Sequence, residues 1–302
     1  MIPENKTRKT IQTLTVRETS PLAEGVYSLT LEYPEGMAPE TVRPGQFVGI
    51  YTNDAARLLP RPISVCGWDA GRRRLRLVYR IAGAGTAQFS QLSAGDAVRV
   101  LGVLGNGYDV PALAGKRVLL LGGGIGAPPM LGLAQALQAV NSKGTTAIPP
   151  EGGGSCGTDS AAADRHLPDE PVTSVMGYRT NDLFLTEEFA AAGRLVISTD
   201  DGSCGFRGNA VEAARTLVPE KGPCPFDVIC ACGPLPMLRS VRELAGDLGI
   251  PAYLSLEERM ACGVGACLGC VTKTVQVDGH SRVRNARICT EGPVFRADEV
   301  VL

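Results

Sequence analysis

Residues 261–270 of this chain read Ala-Cys-Gly-Val-Gly-Ala-Cys-Leu-Gly-Cys. Four residues separate Cys262 from Cys267, two separate Cys267 from Cys270, and a fourth cysteine, Cys289, follows after 18 more. Plant-type [2Fe–2S] clusters are held by cysteines at such intervals, three in a tight loop and one distant. The intervening glycines let the backbone curl and turn its amides toward the cluster sulfurs. The pattern predicts a [2Fe–2S] segment at residues 251–302, too small for a core of its own and dependent on its metal centre.

Two other interpretations of these cysteines are open at this stage. A structural zinc site usually takes closely spaced pairs of cysteines or histidines, and the only histidine nearby is His280. The four could also be unrelated buried residues. The chain has ten cysteines. No role is expected for Cys156, and four others are expected to be core or incidental residues: Cys66, Cys204, Cys224 and Cys230.

Residues 112–250 carry the pattern of an α/β nucleotide-binding domain. A short apolar strand, Arg117–Leu121, leads into the glycine run Gly122–Pro129, and strands then alternate with helices as in a parallel sheet. The helices are expected at Ala127–Val140, Asp182–Ala191, Asn209–Leu217 and Pro236–Leu248. Nucleotides bind at the carboxyl ends of such strands, although the run is not the G-x-G-x-x-G fingerprint and a plain tight turn is the alternative. The expected NAD-binding residues are Gly122, Gly123, Gly124, Gly126, Cys232, Gly233 and Pro234.

Residues 1–111 carry the pattern of β structure. Six short stretches alternate apolar and polar residues or are rich in β-branched and aromatic ones, with turn residues between them. They are Thr10–Arg17, Val26–Tyr33, Gln46–Tyr51, Arg61–Cys66, Leu75–Ile81 and Ala97–Leu101. This spacing predicts a small closed barrel or a sandwich.

Two motifs in this β part suggest a flavin dinucleotide. In Arg61-Pro62-Ile63-Ser64, the arginine can bind a pyrophosphate bidentately and the serine hydroxyl can bond a flavin nitrogen. Further on, Gly83-Ala84-Gly85-Thr86 forms a glycine turn that opens a helix at Ala87–Leu92, and amides at a helix start suit a diphosphate. An ordinary edge strand is the alternative for the first motif taken by itself.

The composition argues against other classes of protein. The 302 residues carry 30 Lys plus Arg against 31 Asp plus Glu, so there is no general attraction to nucleic acid or to an anionic membrane. The N-terminus has no apolar signal-peptide core, and the uncharged stretch 118–142 holds glycines and paired prolines that favour strand, turn and helix over a membrane span. A cytoplasmic protein is expected. Residues 141–171, rich in Gly, Pro and Thr, indicate a flexible insertion.

Seven motifs together carry a family resemblance. They are Pro44–Phe47, Arg61–Ser64, Gly83–Thr86, Gly122–Pro129, Thr199–Gly202, Cys232–Pro234 and Glu258–Cys270. With them the chain resembles the ferredoxin-reductase-like flavoproteins, and most specifically the electron-transfer subunits of NAD-linked dihydroorotate dehydrogenases. The resemblance implies a β-barrel FAD domain, a parallel-sheet α/β nucleotide domain and a [2Fe–2S] segment. It implies that FAD contacts Arg61, Pro62, Ile63, Ser64, Val78, Tyr79, Arg80, Gly85 and Thr86. Ile63 stands where many relatives of the wider fold have a flavin-stacking tyrosine.

The same resemblance implies a partner and a reaction. The partner is an FMN-containing catalytic subunit that oxidises dihydroorotate to orotate in pyrimidine biosynthesis, assembled with this chain as a heterotetramer of two of each. Electrons would pass from FMN through the cluster and FAD to NAD, and no catalytic acid or base is expected on this chain. The nearest alternative is the FAD/[2Fe–2S] subunit of another NAD(P)H-linked oxidoreductase, of the ferredoxin:NADP or sulfur reductase type. A redox-sensing binding protein and a zinc-stabilised scaffold are alternatives of other classes.

Overall fold

A computed structural model of the chain describes residues 9–142, 170–277 and 282–302. Most of the predicted insertion at 141–171 lies outside the described residues, as do Cys156, His166 and His280. Within the described ranges, no helix is long and apolar enough to traverse a bilayer. The strands form a closed barrel, a seven-stranded sheet and a two-stranded sheet.

The N-terminal part is a closed antiparallel barrel with the strand order β1-β2-β5-β4-β3-β6. Its strands are β1 (Ile11–Ala23), β2 (Val26–Glu32), β3 (Phe47–Ile50), β4 (Arg61–Asp69), β5 (Arg74–Arg80) and β6 (Ala97–Leu104). Alternate apolar residues fill the interior, among them Leu29 and Leu31 on β2 and Leu75 and Leu77 on β5, all fully buried. The predicted barrel is confirmed, and the sandwich alternative is wrong because the sheet closes on itself.

Two short helices accompany the barrel, α1 (Ala84–Phe89) and α2 (Val110–Leu113). Helix α1 begins inside the glycine turn instead of after it at Ala87, because the Thr86 side chain caps the turn through the main chain of Gly83. Helix α2 begins after Asp109, whose carboxylate accepts a hydrogen bond from the Ala112 amide.

The second part is a sheet in the order β10-β9-β8-β7-β11-β12-β15. Its strands are β7 (Val118–Gly123), β8 (Val172–Tyr178), β9 (Arg194–Thr199), β10 (Phe206–Arg207), β11 (Val228–Cys232), β12 (Ala252–Ser255) and β15 (Val294–Arg296). The separate two-stranded sheet consists of β13 (Val271–Lys273) and β14 (Asn285–Arg287), which lie between β12 and β15 in the chain. The pairs are parallel except for β12 with β15. The chain leaves β7 toward β8 and later returns to its other side as β11. A switch point for ligand binding therefore lies between β7 and β11.

Among the described residues, four longer helices cover this sheet: α3 (Ala127–Asn141), α4 (Thr186–Ala192), α5 (Ala210–Thr216) and α6 (Leu235–Leu248). Helices α3, α5 and α6 match the predicted ranges to within one residue at each end. The predicted start of α4 at Asp182 is wrong. Leu185 has a φ of 64°, and a right-handed helix cannot contain this left-handed conformation.

Helix α3 joins the two parts of the molecule by packing on β4. A methyl group on Gly132 would lie 2.6 Å from the carbonyl oxygen of Cys66, so the contact needs glycine. Beside it, Arg76 of β5 donates from Nη1 to Glu188 Oε2 of α4 at 2.5 Å and from Nη2 to Oε1 at 3.0 Å. The Arg76 Nε also donates to the Ser28 hydroxyl at 3.1 Å. This interface depends on close backbone contact and on one bidentate ion pair.

The Gly132→Ala substitution is expected to destabilise the protein by about 1–3 kcal/mol, because an overpacked site must move its neighbours. The control is Gly246→Ala in α6, where nothing lies within 4 Å of the added carbon. Since alanine favours a helix interior, this control should stabilise by about 0.5–1 kcal/mol. Denaturant unfolding of both variants measures the difference. Equal effects would contradict the close packing of α3 on β4.

The C-terminal segment is built into both other parts. Its strands β12 and β15 extend the large sheet. Asn106, which follows β6, donates from Nδ2 to the carbonyl oxygens of Glu291 (2.9 Å) and Val294 (2.8 Å) and accepts from the Val294 amide. The predicted boundary at residue 250 therefore falls between α6 and the next strand of the same sheet. The domain limits 1–111, 112–250 and 251–302 stay a prediction.

Candidate cluster, flavin and nucleotide sites

The four predicted cluster cysteines come together in two pairs. The thiol of Cys262 lies close enough to Cys267, and that of Cys289 close enough to Cys270, for each neighbour to affect the pKa of the thiol. Cys270 and Cys289 are buried, Cys262 is half-buried and Cys267 is exposed. In a [2Fe–2S] cluster each iron takes two of the four thiolates. The arrangement therefore fits that cluster, with one pair of ligands toward solvent and the other in the interior.

Backbone amides of the cysteine loop point at the thiols, as the glycine pattern predicts. The amides of Val264, Ala266 and Cys267 donate to Cys262 Sγ at 3.4, 3.3 and 3.4 Å. The Gly269 amide donates to Cys267 Sγ at 3.4 Å. Such a curled run of amides stabilises negative charge on sulfur.

The pKa values of the thiols follow from these contacts. Burial opposes ionisation of Cys262, but the amides of Val264 and Cys267 and their neighbours outweigh it and lower the pKa to about 6. At Cys289, burial and the adjacent Cys270 thiol raise the pKa to about 12. Cys289 would therefore depend on the charge of the metal to lose its proton, since a coordinating thiol is deprotonated.

The donor arrangement also bears on the zinc alternative. Among the residues that the structure describes, no three His, Cys, Asp or Glu side chains are gathered around a position for a single metal ion. A structural zinc site places four donors around one ion, whereas a [2Fe–2S] cluster places two on each iron. The pairing of Cys262 with Cys267 and of Cys270 with Cys289 is the arrangement that a [2Fe–2S] cluster takes.

The two flavin motifs meet on the barrel surface. A methyl group on Gly85 would lie 2.4 Å from Arg61 Nε, so the guanidinium lies directly across the glycine turn. Arg61 Nη1 also donates to the carbonyl oxygen of Leu59. A cation that is held against the turn in this way can share a diphosphate with it. Glycine at position 85 is required for the two motifs to approach.

The Thr86 hydroxyl closes the same turn. It accepts hydrogen bonds from the amides of Ala82 (2.9 Å) and Gly83 (3.2 Å) and donates to the Gly83 carbonyl (3.0 Å). In this structure Thr86 holds the turn in shape, and its direct contact with FAD stays a prediction.

Tyr79 is one of the predicted flavin residues, and it is buried in the structure. Its ring packs against Tyr27 and Phe89, with centroid distances of 6.3 and 6.1 Å. Burial raises the pKa of its hydroxyl well above the usual value, with a smaller contribution from Tyr27. The buried hydroxyl has no hydrogen-bond partner among the described residues, and a bound cofactor would supply one. The other predicted flavin residues line the same strands: Pro62, Ile63 and Ser64 half-buried, Val78 buried and Arg80 exposed.

The predicted nucleotide turns are in contact at the switch point. A methyl group on Gly126 would lie 2.2 Å from the Cys232 carbonyl oxygen. Methyl groups on Gly123 and Gly233 would lie 2.6 and 2.7 Å from the sulfur of Met237. The glycines at the ends of β7 and β11 are thus in close contact, with Met237 packed against them, at the carboxyl ends of the strands where dinucleotides bind in such sheets.

Two titratable groups lie near this surface, the predicted Cys232 and Glu257, which the sequence did not indicate. Cys232 is fully buried, and its burial, together with the charge of Glu257, raises the pKa of its thiol, while the Ser255 hydroxyl opposes this. The residue Glu257 is exposed as a whole, but desolvation of its carboxyl group raises the pKa of that group. Nothing in the local sequence singles out Glu257, because its place depends on β12 lying beside β11.

The loop after β9, Thr199–Ser203, lies at the same end of the sheet. The Thr199 hydroxyl donates to the Cys204 carbonyl (2.7 Å) and accepts from the Cys204 amide (3.1 Å). Asp201 accepts from the Ser203 hydroxyl (2.6 Å) and amide (2.9 Å), and these bonds lower the pKa of its carboxyl. The loop is therefore pre-shaped by its own hydrogen bonds.

The fold and the site together define a ferredoxin-reductase-like flavoprotein. The structure of the NADH-dependent reduced ferredoxin-NADP oxidoreductase aligns with a TM-score of 0.73 and 26% identity, over 95% of this chain and 89% of that one. A ferredoxin NADP+ reductase from Neisseria gonorrhoeae with bound FAD and NADP shares the fold with a TM-score of 0.58 at 16% identity, over 82% of this chain and 94% of that one.

Sequence similarity narrows the class to one family. The model of the iron-sulfur cluster binding domain of dihydroorotate dehydrogenase B matches residues 257–301. The dihydroorotate dehydrogenase B (NAD(+)) electron transfer subunit of Bacillus caldolyticus is 41% identical over 96% of this chain and 98% of its own length, and that of Streptococcus pneumoniae (strain ATCC BAA-255 / R6) is 37% identical over 97% and 99%. The chain belongs to the family of dihydroorotate dehydrogenase B electron transfer subunits. This confirms the predicted oxidoreductase class, the electron-transfer role and the cofactors FAD, [2Fe–2S] and NAD.

Proposed function

We propose that this chain carries electrons from a dihydroorotate-oxidising catalytic subunit to NAD. The partner would contain FMN and would assemble with this chain as a cytoplasmic heterotetramer of two of each. The names of the relatives as electron transfer subunits support a catalytic partner. The proposal places the oxidation of dihydroorotate on that partner and assigns no catalytic residue to this chain.

The observation that carries the proposal is that the cluster loop and the flavin motif line the same shallow depression. Pro60 and Pro62, on either side of Arg61, line a shallow depression together with Met260 and Gly263 of the cluster loop. A methyl group on Gly263 would lie 3.1 Å from Leu104 of the barrel. Because electron transfer weakens steeply with distance, adjacent sites for cluster and flavin support a relay between them.

Each part of the chain has a separate role in this proposal. The cysteine pairs hold the cluster, Arg61 and the Gly85 turn hold the FAD diphosphate, and the glycine turns at the switch point admit NAD. Bound FAD supplies the exchange between single electrons and a hydride, and the cluster supplies one-electron transfer. The protein positions these groups relative to one another.

The exposed side of the cluster loop is the proposed contact with the partner. Leu268 is 63% exposed and Val264 37% exposed, beside the exposed Cys267. Leu268 also has a φ of 56°, a left-handed conformation that costs a non-glycine residue about 1–2 kcal/mol. An apolar side chain held outward at such a cost next to a cluster ligand suits a surface that a partner covers.

Separating the two subunits tests this function. The isolated chain should oxidise NADH with an artificial acceptor and should leave dihydroorotate unchanged, because the substrate site is proposed to lie on the partner. Adding the FMN-bearing partner should bring dihydroorotate-dependent NAD reduction from background to full rate. Absorbance at the NADH band follows both reactions. Oxidation of dihydroorotate by the isolated chain would overturn the division of roles.

A further inference from the structure

An ion pair that does not include any of the cysteines connects the two pieces of chain that carry them. Arg287 and Glu291 lie two residues before and two residues after Cys289. The Arg287 Nε lies 3.0 Å from each carboxylate oxygen of Glu291, its Nη2 also bonds Oε1, and its amide donates to Oε2 at 2.6 Å. The guanidinium is therefore held in one orientation.

The remaining arm of the same guanidinium reaches the cysteine loop. Arg287 Nη1 donates to the carbonyl oxygen of Gly265 at 3.3 Å. Gly265 has a φ of +84°, and a methyl group there would lie 2.8 Å from Thr290, so the position requires glycine. The loop between Cys262 and Cys267 is thus attached at its middle to the segment around Cys289.

The geometry of one peptide bond gives this attachment a consequence for the cluster. The Gly265 carbonyl and the Ala266 amide belong to the same planar trans peptide, so they point in opposite directions. Arg287 holds the carbonyl, and the Ala266 amide donates to Cys262 Sγ at 3.3 Å. Fixing the carbonyl therefore aims the amide at a cluster ligand.

We propose that the Arg287–Glu291 pair sets the reduction potential of the cluster by orienting the Gly265–Ala266 peptide. Hydrogen bonds to the sulfurs raise the potential of an iron–sulfur centre, because they stabilise the more negative reduced state. Arg287 is a positioning residue in this proposal, since it acts through a peptide and not on the cluster directly. The side chains of Arg287 and Glu291 are 41% and 39% exposed. An ion pair as exposed as this ordinarily contributes little to the stability of the fold. The inference rests on the proposed assignment of the four cysteines.

Substitution of Arg287 by lysine separates positioning from charge. Lysine keeps the positive charge but lacks the fork that bonds Glu291 and Gly265 together. In the complete complex with its partner, we expect Arg287→Lys to keep the wild-type iron content. We expect the ratio of reduced to oxidised cluster at a fixed potential to fall about tenfold, a shift of about 59 mV for one electron. Arg287→Gln should lower this ratio at least as much. The control is Arg296→Lys. Arg296 makes the same kind of paired hydrogen bonds to Asp298 in the same segment, and its side-chain bonds in the described part of the chain go to Asp298 and not to the cysteine loop.

Redox titration followed by the signal of the reduced cluster in electron paramagnetic resonance gives the potential. Amide hydrogen exchange across residues 263–267 gives the orientation of the loop independently, and it should be faster in both Arg287 variants. If the reduction potential shifted in Arg287→Gln but not in Arg287→Lys, the positive charge alone would explain the effect, and the proposal would be overturned. Unchanged potentials in both, or iron lost from both, would overturn it as well. A wild-type chain without iron would contradict the cluster assignment instead, so the two failures are distinguishable.

Discussion

Replacing Cys267 by serine is expected to lower the iron content from about two atoms per chain to near zero. Cys267 is exposed, so the smaller side chain leaves no cavity, and the loss of iron would come from the missing thiolate. The C-terminal segment should also become less stable, because metal binding and folding are coupled in such small segments. Iron and sulfide analysis and the visible absorption spectrum measure the effect.

The matched control for this variant is Cys224→Ser. Cys224 is also a free cysteine, half-buried on the loop before β11 and far along the chain from the cysteine loop. It should keep full iron and the wild-type spectrum. Equal iron loss in both variants would show that the ligands are misassigned. Oxidation of NADH with an artificial acceptor should survive in Cys267→Ser, because the proposed flavin site is on the barrel.

The second large effect is expected from Arg61→Ala. Losing a hydrogen bond to a charged group costs about 1.5–3 kcal/mol. FAD should therefore bind roughly tenfold to a hundredfold more weakly. The variant should lose FAD on gel filtration and lose dihydroorotate-dependent NAD reduction, while the dye-linked activity of the partner itself stays unchanged. Fluorescence titration of the apoprotein with FAD measures the affinity.

Arg57→Ala is the control for this variant. Arg57 lies in the loop just before Arg61 but pairs with Asp54 instead of lying on the glycine turn. Its removal should leave FAD affinity unchanged. An Arg61→Ala variant that keeps wild-type affinity and full coupling would contradict the assignment of Arg61 to the diphosphate.

The sequence was sufficient wherever the information is local. Cluster ligands must sit at short intervals because one tight loop wraps the metal, and so the spacing of Cys262, Cys267 and Cys270 identified them. The strands of the barrel and of the parallel sheet likewise follow from alternating and continuous apolar runs, which are properties of consecutive residues. The closure of the first six strands does not, because the same runs also allowed a sandwich. The predicted starts of α1 and α4 were wrong. They depend on the backbone conformations of the glycine turn and of Leu185, which a hydrophobic pattern does not reveal.

Only the tertiary structure decided which distant residues meet. Arg61 lies on Gly85, Gly126 touches Cys232, and Arg287 holds Gly265, each across strands or loops that are far apart in sequence. The place of the C-terminal segment against Asn106 and β11 is of the same kind. Such contacts are fixed by how the barrel, the sheet and the cluster segment close on one another. A local sequence pattern identifies residues with suitable chemistry. Tertiary packing is what brings them within bonding distance of one another.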